Sequence, residues 1–200
     1  MFPRTILPVL LCVAALWSGW RQWEGRPYHP YDGQTAPAEP EQTDPDTTAS
    51  LRYGRWTLTP RARYDITARI LSRENYGFDA LADLIPEDLA LGWGPMSDNR
   101  VLADFDISQS ARFYGWRPRA SLPIPREAVI THSANTHVIP FDSQIRSRLE
   151  RLRVGQTVHL TGVLVDGVRD DGARIHTSLV RTDTGAGACE IMLVEDVSVR

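Results

Sequence analysis

The sequence predicts an α+β domain of mostly antiparallel β-structure, most simply a small, partly closed OB-like barrel with one or two helices. Three observations predict this class. A helix leads directly into a strand at residues 142–166, a series of β-rich segments follows that helix, and further strands come before it. Strands grouped on either side of a helix, without regular alternation of the two, indicate the α+β class.

The helix and strand at residues 142–166 have the clearest periodicity in the chain. Asp142 suits an N-cap position, and Gly155 stands where the helix would stop. Between them, apolar side chains repeat at i, i+4 and i+7, at Ile145, Leu149 and Leu152. Residues 157–165 then alternate, and the apolar side chains of one face are Val158, Leu160 and Leu164. We therefore predict a helix followed by a strand that resembles the barrel strands of OB-type proteins.

Before this unit, alternation and turn residues predict several elements. Residues 63–72 alternate and predict a strand. Residues 79–91 predict one short helix or two, with Pro86 in a first helical turn and Glu87 and Asp88 behind it as helix-start acids. The segments that follow are predicted to be a Gly/Pro loop around Trp93, a strand, and a strand or irregular loop: residues 91–98, 108–116 and 128–140.

After the helix, three segments predict an antiparallel meander: residues 157–166, 174–181 and 189–199. Gly172 and the adjacent Asp170 and Asp171 supply residues typical of a hairpin turn between the first two.

The N-terminal 23 residues predict a membrane anchor or a signal peptide. Residues 5–20 have no charge and follow a positive start at Arg4. This run is shorter than the roughly 20 residues that span a bilayer, so both alternatives stay open. Leu16, Trp17 and Trp20 stand where cleavage requires small residues, which favours an uncleaved anchor. We expect a single-pass inner-membrane protein whose domain lies in the periplasm.

Charge divides the rest of the chain into a linker and a domain. Residues 24–50 contain six acidic residues against Arg26 alone, together with several prolines, and predict a disordered tether. Residues 51–200 contain 19 Arg and 19 Asp plus Glu, and the chain has no Lys. A neutral domain of this kind argues against non-specific nucleic-acid binding, which depends on surplus positive charge. Its one thiol, at Cys189, excludes a disulfide within the domain.

Four phrases carry a resemblance to a known group of proteins: LALGWGPMSD at residues 89–98, ISQSARFYGWR at 107–117, HSANTHVIP at 132–140 and DTGAGACE at 183–190. Together they resemble a family of uncharacterised, single-pass membrane-anchored bacterial proteins, over roughly residues 57–195. The resemblance implies the anchored layout and adds no activity and no catalytic residue.

The phrase HSANTHVIP contains the first candidate site. His132, Ser133, Asn135 and His137 fall within six residues. A spacing of five matches neither a helix face nor a strand face, and the phrase has no carboxylate or thiol to complete a metal site. We therefore weigh a polar binding site against a loop whose side chains satisfy buried backbone groups, and we predict no metal and no cofactor.

Cys189 is the second candidate. A thiol nucleophile needs a histidine beside it, and His132, His137 or His176 could reach it only through the fold. A small core residue is the alternative. The preceding loop contains Asp183 in a DTG sequence, but a single copy would need a second chain to form a carboxylate pair.

Aromatic side chains provide the third candidate site. Trp93, Tyr114 and Trp116 are predicted to line a binding surface, with Phe113 and arginines beside them, unless they are core or loop anchors.

Three functions follow as expectations. The first is a membrane-tethered interaction module that binds an envelope protein or another unknown ligand through His132, Ser133, Asn135, His137 and the aromatic residues. The second is an enzyme that uses Cys189 with a histidine such as His137. The third is an OB-like domain that binds single-stranded nucleic acid, which the neutral charge and the expected periplasmic location disfavour.

Overall fold

The computed structural model describes Cys12 and residues 26–180, 182–183, 185 and 187–200. The predicted membrane segment at residues 1–23 therefore lies, apart from Cys12, outside the described residues. Within the described ranges, no helix combines the length and apolar character needed to cross a bilayer.

An eight-stranded sheet forms the body of the domain. Its strands are β1 (Glu41–Thr43), β2 (Leu51–Tyr53), β3 (Trp56–Asn75), β4 (Glu87–Gly92), β7 (Ser133–Pro140), β8 (Thr157–Arg169), β9 (Arg174–Ile175) and β10 (Glu190–Val199). A separate hairpin consists of β5 (Phe105–Ser110) and β6 (Phe113–Pro118). The short helices are α1 (Asn99–Leu102), α2 (Arg126–Thr131) and α3 (Ser143–Leu149), and a 3₁₀ helix spans Gly94–Ser97.

Five of the strands pair into a ring in the order β3-β4-β7-β10-β8, and β8 pairs back to β3. Every pairing in the ring is antiparallel except that of β7 with β10, which is parallel. The predicted α+β class with a small, mostly antiparallel and partly ring-like sheet is therefore confirmed.

The long strand β3 makes the ring possible because it pairs with both β8 and β4. Its register shifts between Pro60 and Ala62 and again between Ile70 and Ser72. Such irregularities bend and twist a strand, which a closing sheet requires. The strand predicted at residues 63–72 is confirmed and extends further at both ends. Inside the ring, its buried side chains pack with those of β4, β8 and β10.

The predicted helix is confirmed as α3. The Asp142 side chain caps it by accepting hydrogen bonds at 2.8 Å from the backbone N–H groups of Gln144 and Ile145. Ile145 and Leu149 are buried in the main core cluster, and Leu152 joins them just beyond the helix. The helix α3 connects β7 to β8, which follow each other in the chain and are separated by β10 in the ring.

The prediction of one or two helices at residues 79–91 is wrong, because residues 80–84 form turns and Glu87–Gly92 is the strand β4. All six residues of β4 are buried, and β3 and β7 flank it in the sheet. Leu, Ala and acidic residues suggest a helix locally, but pairing on both edges decides the conformation here. Glu87 and Asp88 are consequently not helix-start acids: they lie in the strand, 3% and 0% exposed.

Three other segments differ from prediction in detail. Residues 108–116 do not form one strand, because the chain turns back at Ala111 and Arg112 to make the β5–β6 hairpin. Residues 128–140 contain the end of α2 and then β7. The strand predicted at residues 174–181 is limited to β9, which pairs with β8 as expected, so the meander is confirmed only in part.

The acidic linker also differs from the predicted disordered tether over residues 26–50. Tyr28 N–H donates to the Val154 carbonyl at 2.7 Å, and Ala36 is fully buried and accepts from Gly94 N–H at 2.7 Å. Glu41–Thr43 pairs with β3 as an edge strand. These contacts are backbone pairings, which composition and apolar periodicity do not reveal.

Candidate active site

Asp88 of β4 and His137 of β7 form a buried pair across two neighbouring strands. The register places them directly opposite each other, so both side chains point to the same face. His137 Nδ1 lies 2.7 Å from Asp88 Oδ1, and the two side chains are 12% and 0% exposed. At this distance the Nδ1–H group donates a hydrogen bond to the carboxylate, and Nε2 is left for another partner.

Cys189 lies next to this pair because β10 runs parallel to β7. Glu190, the first residue of β10, is opposite Thr136, so the preceding residue falls beside Asn135. The Asn135 Nδ2 atom lies 3.8 Å from Cys189 Sγ. The Cys189 side chain also interacts with His137 and raises the pKa of the imidazole. Asp88 on β4, His137 on β7 and Cys189 just before β10 are therefore neighbours at one edge-to-edge stretch of three paired strands.

The pKa of His137 reflects these two partners. Burial lowers it, but the hydrogen bond to Asp88 and the interaction with Cys189 outweigh burial and raise the pKa to about 9. At neutral pH the imidazole is therefore protonated in the folded protein. An imidazolium beside a cysteine is the environment that favours the nucleophilic thiolate.

Asn135 links the thiol to the hairpin. Its Nδ2 atom lies 3.1 Å from the Arg112 carbonyl and 3.4 Å from Asp88 Oδ2, as well as 3.8 Å from the sulfur. Gln109 Nε2 donates to Asn135 Oδ1 at 2.7 Å, which fixes the orientation of the amide. The amide N–H group is thus held toward the sulfur.

Arg112 supports the same carboxylate from the turn of the β5–β6 hairpin. Its guanidinium lies 3.4 Å from Asp88 and 2.7 Å from Asp79, and it stacks 4.0 Å over the Tyr76 ring. Ala111 and Arg112 have φ values of 50° and 66°, the left-handed region that non-glycine residues rarely adopt. The contacts of Arg112 therefore stabilise a turn whose backbone is unfavourable by itself.

A pocket of about 410 Å³ opens beside Cys189. This volume is within the range of small-molecule sites. The hairpin contributes Phe113, Tyr114 and Trp116 to the wall, and Trp93, Arg126 and Cys189 come from other parts of the chain. The nucleophile candidate is therefore accessible from a cavity with aromatic walls.

Most of the residues predicted for binding are brought together here. The pocket wall includes Trp93, Tyr114, Trp116, Ser133 and Asn135. His137 does not line the pocket, but it interacts with Cys189, which does. His132 is elsewhere: its Nδ1 atom lies 2.9 Å from the Ala128 carbonyl and its Nε2 atom 3.2 Å from Glu39. This is the backbone-satisfying role proposed as the alternative for that phrase.

Sequence reasoning missed two members of the site, Asp88 and Gln109, and placed Arg112 only beside the aromatic surface. Asp88 stands out in the sequence only as part of an apparent helix start. Its role depends on pairing with a strand 49 positions later, which no local pattern indicates. Arg112 lies within the quoted aromatic phrase, but its contacts with Asp79 and Asp88 exist only in the fold.

The other candidate chemistries find less support in the described part of the chain. No group there of three or more His, Cys, Asp or Glu side chains could hold a metal ion. Asp183 of the DTG sequence accepts a hydrogen bond from Ser178 Oγ at 2.6 Å and lines the pocket.

No family model, no curated protein and no solved structure matches this chain. The resemblance to uncharacterised membrane-anchored proteins therefore stays a prediction, and functional inference depends on the geometry of the site.

Proposed function

We propose that this domain is a thiol-dependent enzyme of acyl transfer, with Cys189 as nucleophile, His137 as general base and Asp88 as the group that orients the imidazole. The observation that carries the proposal is the buried Asp88–His137 pair next to Cys189, which lines an open pocket. A nucleophile, a base and a third group that orients the base are the parts that acyl-transfer sites of this kind share.

The reaction follows from these positions. In the resting site the Cys189 proton is already on His137, and the Sγ of the thiolate forms a bond to the carbonyl carbon of the substrate. The bond from that carbon to the leaving amine or alcohol then breaks, and the leaving group takes the proton from His137. Water, activated by the same imidazole, hydrolyses the thioester and restores the thiol. The Asn135 amide, whose Nδ2 atom lies 3.8 Å from the sulfur, would donate to the developing oxyanion.

The barrel topology supports the location of the site. In chain order, the ring strands pair as 1-2-3-5-4 with a helix between the third and fourth, and we infer an OB-type barrel from that order. OB-type barrels bind ligands on the face of strands two and three and in the adjoining loops. Asp88 and His137 lie on those two strands, and Cys189 ends the loop between the fourth and fifth.

The first experiment is alkylation of Cys189 in the full chain with Cys12 replaced by Ser. We expect iodoacetamide to modify Cys189 at neutral pH, and His137→Ala to lower the rate on the order of tenfold because the imidazolium is lost. His159→Ala is the matched control, since His159 Nε2 also lies 2.8 Å from an aspartate, Asp65. An equal effect of the two histidine substitutions would refute the proposed role of His137.

Turnover gives the second part of the test. A panel of esters, thioesters and peptides should reveal an activity that Cys189→Ser abolishes and His159→Ala preserves. An activity that Cys189→Ser leaves intact would refute the proposal.

A binding module without turnover is the second candidate, favoured by the aromatic side chains of the pocket wall. Phe113 and Val180 are each more than half exposed at this pocket, and exposed apolar side chains of this kind mark binding surfaces. Under this alternative, a ligand found by thermal-shift screening would bind wild type and Cys189→Ser equally well, and Trp116→Ala would weaken binding. Faster consumption of that ligand by wild type than by Cys189→Ser would exclude it.

In either case, we propose that the apolar segment at residues 5–20 holds the domain at the inner membrane with the site in the periplasm. A membrane-impermeant maleimide should then label Cys189 in cells whose outer membrane is permeable. Labelling only after lysis would place the domain on the other side.

A further inference from the structure

The charged groups on the pocket wall differ in what they contact. Asp183 accepts from Ser178, and Glu190 is only 4% exposed within β10. Arg126, in contrast, is exposed and forms no ion pair or hydrogen bond with any residue that the structure describes. Its guanidinium carbon lies 5.1 Å from the centre of the Trp116 ring. Among the described residues of its wall, the pocket therefore presents one cation whose hydrogen-bond donors are available to a ligand.

The chemistry of this cation selects a planar anion. A guanidinium offers parallel N–H donors that match the two oxygens of a carboxylate, and stacking on an indole leaves those edge donors available. Stacking also limits the conformations of the arginine, so less side-chain entropy is lost when an anion binds. A carboxylate is accordingly the group we expect at this point of the wall.

The rest of the wall favours an apolar group beside that carboxylate. Trp93, Phe113, Trp116, Ile130 and Val180 contribute apolar surface to the same cavity. Burial of an aromatic or branched aliphatic side chain there would remove apolar area from water. Sulfur, apolar wall and cation thus belong to a single cavity.

We infer that the substrate of this site is a peptide whose C-terminal residue has an apolar side chain and a free α-carboxylate, bound by Arg126. This inference rests on the proposed function. Cys189 Sγ forms the thioester with the carbonyl of the preceding residue, the amide C–N bond breaks, and the terminal amino acid leaves with the proton from His137. Water then hydrolyses the thioester to a peptide carboxylate and the free thiol.

The test uses two electrophiles that differ only in charge. N-iodoacetyl-phenylalanine and its C-terminal amide share the reactive group and the aromatic ring, and only the first has a carboxylate. Their second-order rate constants with Cys189 are measured by mass spectrometry on the full chain in detergent, with Cys12→Ser as background. We expect the acid to react faster than the amide, and Arg126→Ala to lower the acid-to-amide ratio about tenfold, the effect of one charge-assisted contact.

Controls separate the two proposals. Arg117→Ala removes an exposed arginine of β6 that pairs with Asp106 at 3.9 Å and is not on the pocket wall, so it should leave the ratio unchanged. Arg126→Lys should give an intermediate ratio, because it retains the charge without the planar fork. An unchanged ratio in Arg126→Ala would overturn the inference. Rates for both reagents that do not depend on His137 would overturn the proposed function instead.

Discussion

Asp88→Asn is the substitution that most directly tests the electrostatics of the site. The pKa of His137 is about 9 in the folded protein against an ordinary value of 6.5. Because one pKa unit corresponds to about 1.4 kcal/mol, the folded environment favours the imidazolium by about 3 kcal/mol. Asn preserves the shape and an acceptor oxygen for Nδ1 but removes the charge. Most of this preference should therefore be lost, with a smaller part retained through Cys189.

The sign of the effect sets the pH range of the assay. A group whose pKa is raised on folding stabilises the protein fully below its unfolded pKa and loses that contribution as pH rises through the folded value. The stabilisation that depends on the His137 charge is thus present below about pH 6.5 and lost through about pH 9. Asp88→Asn should consequently be more destabilising at about pH 6 than at about pH 10, by about 1 to 3 kcal/mol.

The measurement is denaturant unfolding of both proteins at the two pH values, followed by tryptophan fluorescence. Asp65→Asn is the matched control: it breaks the His159 pair, whose aspartate side chain is 51% exposed, and it should cost about 1 kcal/mol or less at either pH. Equal destabilisation by Asp88→Asn at both pH values would refute the assignment of the His137 charge to this carboxylate.

Three further predictions concern the residues around the pair. Arg112→Gln should lower the free energy of unfolding by about 2 to 4 kcal/mol, because it removes a cation bound to Asp79 and the buried Asp88; an effect under about 0.5 kcal/mol in urea unfolding would contradict this. Ala111→Gly should raise the melting temperature slightly, since glycine adopts φ 50° without strain; a clear decrease would show that the turn is not strained there. Burial raises the pKa of Glu87 to about 7 despite Arg73, so wild type should lose stability as pH rises from about 4.5 through about 7, and Glu87→Gln should flatten this slope; unfolding at several pH values with parallel slopes would argue against it.

The strands around the helix α3 could be predicted from sequence because their signals are local. Asp142 as N-cap and the alternation that follows Thr157 depend on neighbours within a few positions, and both are confirmed. The closure of the ring is harder to predict from the sequence. The pairing of β3 with both β8 and β4 depends on two register shifts in one long strand, and alternation alone indicates only its central part.

Only part of the site could be predicted from the sequence, because its contacts join residues that are far apart in the chain. Asn135, His137 and Cys189 were recognisable as chemical side chains, but nothing nearby in sequence completes them. Asp88 was hidden because a run rich in leucine, alanine and acids has the composition of a helix. The five-residue spacing of His132 and His137 did correctly predict that they share no face, and the structure places them in separate environments.

The position of Arg112 implies that the thiol site and the walls of the pocket are mechanically coupled. The catalytic candidates lie on paired strands of the ring, whereas the aromatic wall belongs to a hairpin with its own two-stranded sheet. That hairpin is joined to the site through its strained turn, where the Arg112 side chain contacts Asp88 and its carbonyl accepts from Asn135 at 3.1 Å. A ligand that displaces the hairpin would therefore move the Arg112 guanidinium relative to Asp88 and the Arg112 carbonyl relative to the Asn135 amide together. The backbones of Asn135 and Asp88 are held in the paired strands β7 and β4, so the turn is the element that would change conformation. Its unfavourable backbone conformation makes that change less costly than unpairing a ring strand.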